Sequence, residues 1–329
     1  VARFRSARGH HVVQHEQHRR ARLVAIPSHR LARVVDRAVT ESERRLVGRH
    51  HLRAPGVEQV VRQVGERHTL VLQESFDNRL LPVNLVEADG WQPDLSALEA
   101  ALNNGARFVL ITHPNNPTGA ALSRESMRVI AELTERHGAW IMADEVYQGA
   151  ETNGEISPSF WGCHDRVLIT NSMSKAYAMP GLRLGWIVGP PDLVQELWGR
   201  TDYTTIAPPS VSDTLACLAL EPTTRARILE RTRKIVRANL GLLETWMATQ
   251  EGRFTYRPPD AGAICYARYS ANINSTEFAE KLRVEKDVLV VPGDHFGMDY
   301  YLRLGFGTPA EKLLEALDLI QEAFDEVTK

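Results

Sequence analysis

From residue 107 to residue 201 the chain alternates short apolar runs with longer stretches of helical periodicity. The apolar runs predict strands over 107–112, 139–143, 167–170 and 185–188. The stretches over 123–137 and 192–200 predict helices, and Gly138 is a natural stop for the first of them. Strands that alternate with helices favour an α/β fold, with a mainly parallel sheet flanked by helices in a large domain over 71–210. Beyond it, a connecting helical segment over 211–252 carries one long helical pattern, 224–248. Strand patterns near 263–269, 288–291 and 301–306 then predict a smaller α+β domain over 253–329. Thr308-Pro-Ala-Glu311 reads as a capping box with proline at the first helical position, so the terminal helix is expected to begin there.

Composition changes the picture only at the start of the chain. The first 70 residues hold 15 arginines, no lysine and 6 acids, whereas the remaining 259 carry 24 basic and 35 acidic groups. A basic arm for nucleic acid would interleave aromatic residues, and this stretch has Phe4 alone, so no nucleic-acid partner is expected. His10, His11, His15 and His18 lack the cysteines and carboxylates of a metal site, so no metal is expected either. The segment is atypical. Its little apolar surface predicts disorder and early trimming by proteases. Arginine, histidine and valine enrichment in a chain whose first lysine is Lys175 is also what an altered reading frame or misassigned start would yield. Elsewhere Cys163, Cys217 and Cys265 show no paired spacing, and no apolar run is long enough for a membrane span. The expectation is a soluble, cytoplasmic protein.

Candidate chemistry gathers at the strand ends. Lys175 lies in Ser172-Met-Ser-Lys175, and Arg183 follows eight residues later. Ser172, Ser174 and Arg183 are all donors suited to a phosphate, and an amine beside a phosphate clamp points to pyridoxal 5'-phosphate held on Lys175. Asn116 follows the strand over 107–112, and Asp144 and Tyr147 follow the strand over 139–143. In open α/β sheets ligands collect at the carboxyl ends of strands, so the three fit one ring. Asp144 would keep a pyridine nitrogen protonated, while Asn116 and Tyr147 would hydrogen-bond the phenolic oxygen. Arg303, on the strand over 301–306, would clamp a carboxylate. Each has a plainer reading: Asp144 as a helix N-cap, Asn116-Pro-Thr-Gly as a turn, and Arg303 as a solvent-facing residue of an edge strand.

Taken together, His113-Pro-Asn-Asn-Pro-Thr-Gly119, Ala143-Asp-Glu-Val-Tyr147, Ser172-Met-Ser-Lys175 with Gly181-Leu-Arg-Leu-Gly-Trp186, and Leu302-Arg-Leu-Gly-Phe306 resemble the motifs of class I/II aminotransferases, the fold-type I pyridoxal-phosphate enzymes. The resemblance runs from about Arg79 to the C-terminus. It implies that Lys175 is the Schiff-base lysine, that Asp144 pairs with the pyridine nitrogen, and that Asn116 and Tyr147 pair with the ring hydroxyl. It further implies that Ser172, Ser174 and Arg183 hold phosphate, that Arg303 and Asn116 bind substrate, Arg303 through the α-carboxylate, and that the protein is a homodimer acting on an α-amino acid and a 2-oxo acid. The stretches 175–186 and 288–306 are similar to those of capreomycidine synthase-like members, which adds a cyclase or elimination enzyme of amino acid-derived natural products as an alternative. An effector-binding domain and a catalytically impaired remnant are the others. Two family elements are hard to place, with Gly56 as the candidate for a glycine-rich phosphate loop and Phe76 for a ring-stacking aromatic. Ser172-Met-Ser-Lys175 also satisfies the Ser-x-x-Lys of penicillin-binding enzymes, but no Lys-Thr-Gly accompanies it.

Overall fold

The computed structural model describes residues 22–25, 59–63 and 79–329, with side chains from residue 81 onward. Among the described residues the strands in chain order are Arg22–Ala25 (β1), Gln59–Gln63 (β2), Arg79–Val83 (β3), Leu85–Val86 (β4), Gln92–Pro93 (β5), Phe108–Thr112 (β6), Trp140–Asp144 (β7), Val167–Ser172 (β8), Gly185–Gly189 (β9), Phe254–Tyr256 (β10), Ile264–Tyr269 (β11), Val291–Pro292 (β12) and Tyr301–Gly305 (β13). The helices are Leu95–Asn103 (α1), Arg124–Arg136 (α2), Pro191–Thr201 (α3), Ser210–Leu220 (α4), Pro222–Ala248 (α5), Ser275–Glu285 (α6) and Ala310–Val327 (α7).

Seven strands form one sheet in the order β1-β9-β8-β7-β6-β2-β3, parallel from β3 to β8 and antiparallel where β9 and β1 join. This is the mainly parallel, helix-flanked sheet that the alternating pattern predicts. A four-stranded antiparallel sheet, β10-β11-β13-β12, forms the second layer system.

Local sequence explains why the elements stop where they do. Ser123 caps α2 by accepting from the Ser126 amide at 2.9 Å, and Gly138 takes φ +61°, the left-handed step that ends the helix. Between those signals Met127, Ile130 and Leu133 bury one face of α2 in the core that also holds Val109, Ile111, Ile141 and Ala143 of the sheet. Each such side chain contributes roughly 1.5–3 kcal/mol on burial. The long α5 serves two cores. Leu229 belongs to the first, while Val236, Leu240, Leu243 and Met247 recur at helical spacing in the second, with Cys265 and Leu304 of the antiparallel sheet.

Three local expectations are corrected. The strand near 288–291 is only the two-residue β12, because Val288 is buried against a helix-end turn and its amide bonds to Leu282 O at 3.1 Å. The capping box at Thr308 does not close: α7 begins at Ala310 behind Pro309, with no side-chain cap. Arg303 does not sit on an edge strand, since β13 is flanked by β11 and β12. No helix among the described residues is long and apolar enough to cross a membrane. Gly56, Phe76 and the four early histidines lie outside the described residues, as does most of the arginine-rich stretch; its segments β1 and β2 are strands of the larger sheet.

Candidate active site at the carboxyl ends of the parallel strands

Pairing across the parallel strands brings Thr112, Asp144 and Thr170 into one row at the ends of β6, β7 and β8. Asp144 Oδ1 accepts from the Thr170 hydroxyl and from the Val146 amide, both at 3.3 Å. The carboxylate is thus oriented by a neighbouring strand and by its own turn. A turn, not a helix, follows it, so the N-cap reading is replaced by a shorter local cap.

The turn after β6 divides its work between two adjacent asparagines. Asn115 is buried and builds the turn, its Oδ1 accepting from the Thr118 hydroxyl at 2.8 Å and its carbonyl from the Gly119 amide at 2.8 Å. Asn116 is thereby released to point across to the second sheet, where Arg303 Nη1 donates to its Oδ1 at 2.8 Å. A guanidinium only donates, so this contact fixes the amide orientation and leaves Asn116 Nδ2 as a donor. Arg303 also lies 5.8 Å from the centroid of the Phe296 ring.

Tyr147 is buried, and Lys175 Nζ stands 5.8 Å from its ring centroid. The approach is organised by main chain: the Ala176 amide donates to Val146 O at 3.3 Å. The tyrosine ring also presses on Gly262, where a Cβ would come within 2.9 Å of Tyr147 Cδ1 and φ is +79°, so only glycine fits. Ser172 ends β8, and its Oγ accepts from the Ser174 amide at 3.2 Å. Lys175 and Arg183 are exposed. Arg183 has left-handed backbone, φ +47°, and its guanidinium donates to Pro180 O at 2.9 Å.

The structure therefore brings Asn116 to Arg303 and Tyr147 to Lys175, with Asp144 two residues from Val146, which carries the link to Ala176. The donor set suits pyridoxal phosphate: a held carboxylate for a pyridinium, an amide N–H and a phenol for a ring oxygen, an amine, and hydroxyls with a guanidinium for a phosphate.

Sequence reading missed the layer behind these groups. Glu145, only 2% exposed, accepts from the Phe160 amide at 2.9 Å and the Ser159 hydroxyl at 3.0 Å, and burial pushes its carboxyl up to about 7. His113 is fully buried. Its Nδ1 accepts from the Leu122 amide at 3.1 Å, so the proton sits on Nε2, which donates to Pro158 O at 3.1 Å. Burial lowers its pKa to about 4 and keeps the ring neutral. Thr170 and Glu145 flank or abut motif residues, but only strand pairing and loop packing reveal what they touch.

Comparison with known proteins bears on family and fold. The family model described as aminotransferase class I and II matches residues 77–320. Capreomycidine synthase of Streptomyces vinaceus is 32% identical over 251 residues, covering 74% of this chain and 62% of that protein. The arginine–pyruvate transaminase of Pseudomonas aeruginosa is 31% identical, covering 72% and 61%. The chain thus spans about six tenths of the length of these curated relatives. Among solved structures, a PLP-dependent aminotransferase from Streptococcus suis superposes with a TM-score of 0.76 at 30% identity, covering 83% of this chain and 72% of that one. Thermus thermophilus aspartate aminotransferase shares the fold at TM-score 0.75 and 24% identity, covering 82% of this chain and 70% of that one.

Proposed function

Because the chain belongs to the class I and II aminotransferase family, whose members depend on pyridoxal phosphate, we propose that it transfers an amino group from an α-amino acid to a 2-oxo acid. The observation that carries this reading is the placement of Lys175 Nζ beside Tyr147, with Asp144 two residues before Val146 and Asn116, on the turn after β6, bonded to Arg303 of β13. Bound pyridoxal phosphate supplies a conjugated cationic ring that takes up the electrons left when an α-proton departs.

The chain's own groups do the rest. Asp144, held by Thr170, keeps a proton on the ring nitrogen. Asn116 Nδ2 and the Tyr147 hydroxyl donate to the ring oxygen. Ser172, Ser174 and Arg183 bind the phosphate, and Arg303 receives the substrate carboxylate, steadied by its contact with Asn116. Lys175 would hold the cofactor aldehyde through its amine and, as a free amine, would move the proton at the substrate α-carbon. The same reading includes a homodimer and a cytoplasmic location.

A second reading is favoured by the similarity to capreomycidine synthase over 74% of the chain: a cyclase or elimination enzyme using the same residues. One experiment separates the two. The purified protein is given pyridoxal phosphate and then a panel of amino acids, cationic ones included, with spectra and product analysis. A transaminase develops a visible band that bleaches with an amino acid and releases the 2-oxo acid. A cyclase or elimination enzyme consumes the amino acid with no partner acid. A spectrum unchanged by the cofactor would overturn both.

A further inference from the structure

The segment Ser157–Phe160 belongs to no helix or strand, yet side chains bind its polar groups one after another. Glu151 Oε1 accepts from the Ser157 amide at 2.9 Å, and Gln148 Nε2 donates to Ser157 O at 2.8 Å. His113 Nε2 donates to Pro158 O at 3.1 Å. Glu145 Oε1 accepts from the Ser159 hydroxyl and the Phe160 amide. The Phe160 ring, 1% exposed, then meets the His113 ring edge-on, with centroids 6.2 Å apart.

These partners come from two places only. His113 opens the turn that carries Asn116, and Glu145, Gln148 and Glu151 surround Tyr147 along the next connection. A single short segment therefore joins both loops from behind. Ordinary packing would not need hydrogen-bonding side chains at each step, because a buried loop satisfies its main chain from whatever is nearest. Here the nearest groups are four side chains within four residues of Asn116 or Tyr147. Each is buried or half-buried, where an unmade hydrogen bond is costly, so the bonds hold or fail together.

We infer that Ser157–Phe160 is a positioning strap: through His113 on one side and Glu145, Gln148 and Glu151 on the other, it sets Asn116 and Tyr147 at a fixed separation. None of the four side chains acts on substrate. They are positioning residues whose effect reaches the site through the two loops. Glu151 adds a link to the long helix, since its other oxygen lies 3.6 Å from Arg233 Nη2 of α5. Glu151 Oε1 also accepts from the Gly149 amide at 2.9 Å, which closes the Tyr147 loop on itself. The functional consequence, a ring oxygen held between Asn116 and Tyr147, rests on the proposed aminotransferase reading; the mechanical link between the loops does not.

Hydrogen exchange on the 329-residue chain tests the link without cofactor. Gln148→Ala removes the Ser157 O partner, and Glu145→Gln removes the charge while keeping an oxygen for the Phe160 amide. Both touch only the Tyr147 side. If the strap transmits, the Thr118 and Gly119 amides of the Asn116 turn, bonded to Asn115, exchange about tenfold faster in Gln148→Ala, the scale of one lost buried hydrogen bond. Glu145→Gln is expected to show a smaller change in the same amides. Faster exchange confined to 145–160, with the Asn116 turn unchanged, would overturn the strap. A second readout uses pyridoxal phosphate as the probe. Gln148→Ala is expected to weaken its binding about tenfold and to shift the pH at which its visible band changes, and to do neither when Tyr147→Phe is already present. Additive effects in the double variant would show that Gln148 acts on fold stability alone and would also overturn the inference. A wild-type protein that binds no cofactor defeats the functional reading, and the exchange result still decides the strap.

Discussion

Asn116, Asp144 and Tyr147 stand on backing that is buried and tied by hydrogen bonds to neighbouring strands and to the Ser157–Phe160 segment, whereas Lys175 and Arg183, one strand further along, are exposed and positioned through main chain. The difference lies in how each half is set. The inner half is preorganised by groups already within the fold, so its geometry exists before any ligand arrives. The outer half keeps long, flexible cations at the surface, where an anion or aldehyde supplies their order. A ring bound between the halves would therefore find its polar edge fixed and its covalent and phosphate partners adjustable.

The comparison is most sharply broken at Lys175. Lys175→Ala is expected to abolish covalent attachment of pyridoxal phosphate and all turnover, while thermal stability stays within about 0.5 kcal/mol, as for other exposed positions. Borohydride reduction and peptide mapping check this: a pyridoxyl group on Lys234 or any other lysine would move the site elsewhere.

On the inner half, Asp144→Asn replaces a charge by a near-isostere. Removing one partner of a buried ion pair costs roughly 3–5 kcal/mol, and each 1.36 kcal/mol is about tenfold in rate, so α-proton removal should slow at least about a hundredfold. Single-turnover measurement with an α-deuterated amino acid reads that step, and a loss under tenfold would refute the role.

The layer behind makes a prediction in pH. His113 is depressed to about 4 from 6.5, so its neutral form contributes stability above pH 6.5 that is lost as pH falls through 4. Glu145 is raised from 4.5 to about 7, so its contribution is present below pH 4.5 and is lost as pH rises through 7. Between 4.5 and 6.5 the two slopes oppose each other, and the pair adds little pH dependence. Glu145→Gln should uncover the histidine slope, a gain of about 1.4 kcal/mol per pH unit across that window. Urea unfolding at the two ends of the window measures it, and equal slopes in both proteins would show that Glu145 is ionised normally.

The smallest effect is expected where the second sheet meets the first. Arg303→Lys keeps a charge but loses the planar fork, so amino acid KM should rise about tenfold with cofactor affinity nearly unchanged. An amine without a carboxylate serves as control: if it loses as much as the amino acid, Arg303 holds the sheets together through Asn116 and does not recognise substrate.

Much of the fold was legible in the chain. The apolar runs at 107–112, 139–143, 167–170 and 185–188 are strands within a residue or two, and the 224–248 pattern is α5, because period and apolar content act locally. The short β12 and the open cap of α7 are not legible there, because two residues of strand and one hydroxyl contact depend on what packs beside them. At the site, lysine, acid, tyrosine and arginine could be picked out by type and order, but nothing in Asn115-Asn116 says which asparagine builds the turn and which faces Arg303.

By itself the sequence determined the family, the alternation of strand and helix, and the kinds of groups available for chemistry, since those follow from residue type and nearest neighbours. Tertiary structure alone decided that Thr170 orients Asp144, that Arg303 meets Asn116 across 187 positions of chain, and that Glu145 and His113 close on one segment. Those contacts depend on strand register and on loops meeting in a dry interior, where a hydrogen bond left unmade is costly and each partner is chosen by what the fold brings within 3 Å or so.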